Sequence, residues 1–278
     1  MIINCYDENL NLIGVVEEFQ NLRFVRHFTQ IGDFSITIDG TNKTEIGILA
    51  SSTFIKLREG ECGYITGMRE AKTETEYTYT FTGLELKGIA SKRIIVPPSG
   101  VAVWKISNRS PEYIISRLIN DHITNPANTN RQIAGTIATF TESAHTIIYE
   151  TKYTVLSNEI TKIAEANDIG WYANIENGGI VWYITHGVDR TLGQHANEPL
   201  LLGFEFDMLQ SMNYSINTQP VVNMAYVLGN GEGASRPSAL CGDNIKGLDR
   251  QELYVDARTQ ENNALTSYGN ETLASYEI

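Results

Sequence analysis

Residues 76–83 read EYTYTFTG, with Tyr77, Tyr79 and Phe81 alternating with Thr78, Thr80 and Thr82. Alternation of aromatic and small polar residues has the period of two of a β-strand, so the three rings share one face and the threonines the other. One face is expected to pack while the other meets solvent or a partner. Comparable runs surround this one: LIGVVEEF (12–19), LRFVRHF (22–28), DFSITID (33–39), TFIKLRE (53–59) and CGYITGM (62–68). Turn residues separate them, so residues 1–96 read as an antiparallel, β-barrel-like unit. Gly32, in the connection Gln30-Ile31-Gly32-Asp33, is expected to hold a turn with positive φ.

Outward from this unit, Pro97-Pro98-Ser99-Gly100 is the clearest punctuation in the chain and predicts a domain boundary. Beyond it Ser110-Pro111-Glu112 opens a helix with an N-cap hydroxyl, Pro at the first helical position and an acid in the first turn; Ile114, Ile115, Leu118 and Ile119 form its apolar face. A second helix is predicted over 155–168, with Leu156, Ile160, Ile163 and Ala164 at helical spacing and Gly170 placed to end it. WYANI (171–175) and IVWYIT (180–185) flank Glu176-Asn177-Gly178-Gly179, a strong hairpin signal. Residues 97–199 therefore read as an α+β insert. From residue 200 the β-like runs resume in LLGFEFDML (201–209), SMNYSIN (211–217), NMAYVLG (223–229) and ELYVD (252–256), followed by a helix over 263–276. The predicted fold class is β-rich α+β: two antiparallel β-barrel-like regions, 1–96 and 200–278, flank the insert.

A hydrophobic fraction of 42% and a charged fraction of 19% are those of a folded soluble chain. The net charge of -12 argues against a surface built to neutralise nucleic-acid phosphates or to bind anionic membranes. No apolar run is long enough to span a bilayer and the opening residues lack a signal-peptide pattern, so a cytoplasmic origin without membrane insertion is expected. Cys5, Cys62 and Cys241 are far apart and in no paired motif, which predicts reduced, buried thiols.

The candidates for chemistry are weak. Leu228-Gly229-Asn230-Gly231-Glu232-Gly233 follows a strand as a phosphate loop would, but no helical pattern follows and Glu232 would repel the anion. Ser143-Ala144-His145 lacks the G-x-S-x-G turn of a nucleophile elbow, and His186, Asp189 and His195 lack the spacing of a metal motif. Glu17 with Glu18, and Glu74 with Glu76 on one strand face, offer paired carboxylates, while Trp104, Trp171 and Trp182 lie in apolar runs that suit a core better than a sugar cleft. No catalytic, cofactor-binding or metal-ligating residue is assigned, and no cofactor is expected. A tail-associated cell-wall hydrolase or a carbohydrate-binding module is the competing reading.

RFVRHFTQIGDFSITI (23–38) resembles the opening of phage tail baseplate hub proteins, in which an aromatic-rich strand passes through a Gly-Asp/Ser-Phe turn into a second alternating strand. Further positions follow that family in order: Gly63-Tyr64-Ile65, GLELKGIASKR (83–93) with Ile94-Ile95-Val96-Pro97-Pro98, TVLSNEITKIAEANDIGWYANI (154–175), and NMAYVLGNGEGASR (223–236). One departure is that this chain stops at Ile278, where family members continue past such a helix. The resemblance implies a homotrimeric ring at the virion tail tip, assembled in the host cytoplasm, with β-barrel-like regions around the channel and the insert outside. It also implies distal tail, tail-tube, fibre or spike proteins as partners, with DNA met only in passage past an acidic wall. Such work is structural rather than enzymatic.

Overall fold

The computed structural model describes residues 1–203, 213, 222–242 and 245–276. The N-terminal region is built from β1 (Ile3–Tyr6), β2 (Leu12–Val16), β3 (Asn21–Phe24), β4 (Asp33–Asp39), α1 (Lys43–Ser51), β5 (Phe54–Arg58), β6 (Glu61–Lys72) and β7 (Tyr77–Glu85). The strands form one sheet in the order β2-β1-β5-β6-β7-β4-β3, with every neighbouring pair antiparallel. Its end strands β2 and β3 are not joined to each other, so this sheet is open rather than closed into a barrel.

Alternation explains which face is buried. Phe34, Ile36 and Ile38 of β4 and Phe81 of β7 point into a core shared with Ile3, Cys5, Val16 and Ile55, and with Ile46 and Leu49 of α1. The aromatic face of β7 is thus covered by the chain itself. Further along it, Tyr77 and Tyr79 hydrogen-bond each other at 3.0 Å, and Lys43 Nζ stands 4.9 Å and 5.5 Å from their rings. Nor does β7 offer a free edge, since β6 and β4 flank it. Helix α1 was not anticipated, because its apolar residues are too few to impose a clear period. Its start is legible only as Asn42, whose side chain accepts from the Glu45 amide at 3.3 Å.

The middle of the chain contains β8 (Trp104–Arg109), α2 (Pro111–Ile119), β9 (Gly135–Ile137), β10 (Ile147–Thr151), α3 (Leu156–Ala166), β11 (Gly170–Glu176) and β12 (Gly179–Thr185). Helix α2 starts as expected: Ser110 Oγ accepts from the Tyr113 amide at 3.2 Å, and Ile114, Ile115, Leu118 and Ile119 are fully buried. Strands β11 and β12 pair in register from Gly170↔Thr185 to Glu176↔Gly179. Asn177 (φ 48) and Gly178 (φ 76) form the two-residue turn, both left-handed as a type I′ hairpin requires. Gly170 does not end α3. Asp168 takes the left-handed conformation there (φ 51), and Gly170 opens β11 instead.

The last described elements are β13 (Met224–Leu228), β14 (Ser238–Gly242), β15 (Glu252–Asp256) and α4 (Leu265–Ala274). They make a sheet in the order β14-β13-β15, with β14 antiparallel and β15 parallel to β13. One face packs on α4 through Ala225, Val227, Cys241, Val255, Leu265 and Leu273. The strands expected within 201–209 and 211–217 lie, but for a few positions, outside the described residues.

A single apolar core crosses position 96/97. Phe54, Cys62, Tyr64 and Leu86 from the N-terminal side join Ile114, Leu118, Ile160, Trp171 and Trp182 from the middle.

Candidate functional site

Segment 25–32, between β3 and β4, lies as a strap over β11, and a buried ion pair fastens it. Glu85, at the end of β7, accepts on Oε2 from the Gly32 amide at 2.7 Å. Two residues on, Lys87 Nζ donates to the His27 carbonyl at 2.6 Å and to the Trp171 carbonyl at 3.1 Å, and stands 3.5 Å from Glu85 Oε2. Burial lowers the Lys87 ammonium to about 8 against the opposing pull of Glu85. Trp171 also donates from its indole nitrogen to the Thr29 carbonyl at 2.5 Å, and the Arg26 guanidinium lies 4.7 Å from the Tyr172 ring centroid.

Gly32 is essential to this arrangement for a reason other than the expected one. Its φ is not positive; a Cβ there would sit 1.9 Å from the Val25 carbonyl oxygen. The residue must be glycine because the backbone passes too close for any side chain. Gly170 plays the same part for the strap's Phe28, whose ring would come within 2.2 Å of an added Cβ.

Three of the segments that carry the family resemblance, 23–38, 83–93 and 154–175, therefore meet at one buried knot. Sequence reasoning did not single out Glu85 and Lys87. The available signal was two opposite charges set two apart in the otherwise apolar LELKGIA. Chemically the knot can hold surfaces together: its donors and acceptors are spent on one another, although His27 and Trp171 also line a surface recess of about 300 Å³.

The residues considered for catalysis fall into ordinary positions. Arg236 closes the glycine-rich loop after a short 3₁₀ turn (Gly233–Ser235), donating to the Gly229 carbonyl at 2.7 Å and the Leu228 carbonyl at 3.1 Å and pairing with Asp256 at 2.9 Å. His145 and His195 are exposed, and Asp189 accepts from the Thr191 amide. Ser143 and His186 do converge, on Glu112: Ser143 Oγ donates to Oε2 at 3.1 Å and His186 Nε2 lies 2.7 Å from Oε1. The order is wrong for a nucleophile, since the carboxylate stands between hydroxyl and imidazole and the imidazole has no serine to deprotonate. Burial pushes the Glu112 carboxyl up, but hydrogen bonds from its own backbone amide and from Ser143 and Ser110 outweigh it and hold the group below the usual carboxylate range.

Glu74 and Glu76 do not share a strand face; they occupy the exposed tip between β6 and β7, where Thr73 Oγ1 accepts from the Glu76 amide at 2.9 Å. Glu18 accepts from the Asn42 side chain at 3.1 Å, and Glu17 is exposed beside α1. Trp104, Trp171 and Trp182 are buried, the last two stacked with centroids 6.2 Å apart, so none offers a sugar platform. Cys5, Cys62 and Cys241 are buried and unpaired, with burial pushing the Cys5 and Cys62 thiols up to about 11. Among the described residues no group of three His, Cys, Asp or Glu is placed to hold a metal ion, and no helix is long and apolar enough to cross a membrane.

The feature most suited to assembly is on the last sheet. Leu240, Tyr226 and Tyr254 stand side by side across β14, β13 and β15, exposed on the face opposite α4. Arg250 reaches the Tyr226 hydroxyl at 3.2 Å and Arg236 the Tyr254 hydroxyl at 3.3 Å. A row of tyrosine and leucine rimmed by arginine has the composition of a protein interface centre. The edge strand β2 adds exposed Leu12 and Ile13.

A family model described as Siphovirus ReqiPepy6 Gp37-like protein matches residues 2–277. Among solved structures, the 43 kDa tail protein of prophage MuSo2 from Shewanella oneidensis is similar with a TM-score of 0.51 at 12% identity, covering 98% of this chain and 78% of that one. A tail protein from Neisseria meningitidis MC58 has a TM-score of 0.48 at 12% identity, covering 95% of this chain and 73% of that one. An E. coli component of the type VI secretion system, described as structurally similar to the T4 bacteriophage tail proteins gp27 and gp5, has a TM-score of 0.34 at 8% identity, covering 59% and 49%. No curated protein matches the sequence.

Proposed function

The chain belongs to the Siphovirus ReqiPepy6 Gp37-like family of phage tail proteins, and on that premise we propose that it is the hub subunit of a phage or prophage-derived tail tip. In this reading it is a structural protein without a catalytic site. It forms a closed homotrimeric ring around the tail channel and joins the tail tube and distal tail protein to fibre or spike proteins. Residues 1–96 and 200–278 are the channel-side regions, completed into barrel-like walls by neighbouring subunits, and 97–199 is the outer insert. The -12 charge gives part of the channel wall an acidic lining past which DNA slides without sticking.

The observation that carries this reading is a family match running the length of the chain. Two features support it. Among the described residues the seven-stranded sheet ends in the unpaired edges β2 and β3, which a neighbouring strand can pair. The Leu240–Tyr226–Tyr254 row leaves aromatic surface for a partner to cover.

Native mass spectrometry over a range of concentrations, alone and with a distal tail protein, tests the ring, and antibody labelling of virions tests the position. Trimers and label confined to the tail tip are expected. Monomer under every condition overturns the ring, and label along the tube or on the head overturns the hub assignment.

A further inference from the structure

The last sheet and its helix α4 meet the rest of the molecule along α3 and β10, and this joint carries more acid than base. Glu150 of β10, Glu159 of α3, Glu261 ahead of α4 and Glu271 within α4 gather there, with Lys105 and Lys162. Lys105 pairs with Glu150 at 3.3 Å and with Glu261, and Lys162 with Glu159 at 2.9 Å. The two lysines are thereby occupied. Among the described residues Glu271 has no ion-pair partner, and its one side-chain hydrogen bond is a 3.4 Å donation from Ser267 on its own helix.

Glu271 lines a cavity of about 220 Å³ between α3 and α4, with Tyr149 of β10, Lys162 of α3, Val255 of β15, and Tyr268 and Ser275 of α4. From α3 come Glu159 and Lys162; from β10, Tyr149, which donates its hydroxyl to Glu159; and from α4 itself, Tyr268, while β15 presents the apolar Val255. Among the described residues lining the cavity there is no histidine, and the one cation, Lys162, is held by Glu159.

We propose that this joint is a proton-operated latch: a proton on Glu271 lets α4 seat against α3 and β10, and loss of that proton sets two carboxylates against one lysine and loosens the C-terminal unit from the middle of the molecule. The geometry supports it, because a seated, ionised Glu271 would be a partly buried charge beside Glu159, whose own ion pair already engages Lys162. Burial, and then the nearby Glu159 carboxylate, raise the Glu271 carboxyl to about 7 against the opposing Ser267 hydrogen bond, from an ordinary value of 4.5. The seated state therefore binds the proton more tightly than the open one. Seating is strongest in acid, weakens as pH rises from about 4.5 to about 7, and levels off above that. The latch is independent of the tail-tip reading and stands or falls without it.

Amide hydrogen exchange of α4, corrected for the intrinsic pH dependence of exchange and followed from pH 5 to 8.5, reads the latch. Opening of α4 in the wild type is expected to rise on the order of tenfold to a hundredfold across that range. Glu271→Gln, which keeps shape and cannot ionise, is expected to stay protected and flat. A wild type whose α4 protection does not change with pH, or a Glu271→Gln variant that retains the wild-type pH dependence, overturns the proposal. If Glu271→Gln fails to fold, carboxyl carbon NMR of the wild type decides: a Glu271 midpoint near neutrality supports the latch, and one below 5 overturns it.

Discussion

Lys87 Nζ lies 3.5 Å from Glu85 Oε2, and neither side chain reaches water. Such a pair is held less by its own attraction than by the hydrogen bonds around it, here the His27 and Trp171 carbonyls and the Gly32 amide. Glu85→Gln leaves the ammonium buried without a counter-charge. It is expected to cost about 3 to 5 kcal/mol in urea unfolding, the usual penalty for breaking a buried pair. A loss under 1 kcal/mol would show that the strap is not fastened by this pair.

The same lysine predicts a pH dependence. Its folded-state value is depressed to about 8 from 10.5, so between those values the unfolded chain holds the proton and the folded one releases it. Stability contributed by this group therefore rises with pH through that window. Relative to Lys87→Met, wild-type stability is expected to climb by about 1 to 3 kcal/mol from pH 8 to pH 10.5. Denaturant midpoints that run parallel for the two proteins would contradict it.

Glycines 32 and 178 separate two meanings of glycine. Gly32→Ala drives a Cβ into the Val25 carbonyl and is expected to cost about 2 to 4 kcal/mol. Gly178→Ala meets open space but must hold φ 76, and is expected to cost about 1 kcal/mol. Thermal unfolding of the two variants should rank them in that order.

The double change Tyr226→Ser, Tyr254→Ser removes the exposed rings together with the surface hydrogen bonds that their hydroxyls accept from Arg250 and Arg236. Monomer stability is expected to shift by under about 1 kcal/mol. Self-association, or binding of a distal tail protein, is expected to fall at least tenfold, as measured by sedimentation velocity. Unchanged association would place the interface elsewhere.

Much of the middle of the molecule was legible because its signals are local. Ser110-Pro111-Glu112 specifies a helix start, and Asn177-Gly178 a two-residue turn, through the conformations those residues themselves prefer. The Glu85–Lys87 knot was not legible, since its partners lie 53 to 84 residues away. The role of Gly32 was misread for the same reason: a glycine that answers to a close approach looks, in sequence, like one that answers to a turn. Helix α1 was hidden by the brevity of its apolar stripe, Ile46 and Leu49 being its only buried residues. The Leu240–Tyr226–Tyr254 row could not be seen at all, because it exists only once three separate strands are set in register.

The core that runs across position 96/97 has a consequence for engineering and descent. Residues 97–199 are not a cassette that can be lifted out and spliced into another tail protein, since Phe54, Cys62, Tyr64 and Leu86 would lose the wall formed by Ile114, Leu118, Trp171 and Trp182. A chimera that exchanges the middle must exchange those four positions with it. Substitutions at those four positions are expected to be non-additive with substitutions at the middle residues of the same core.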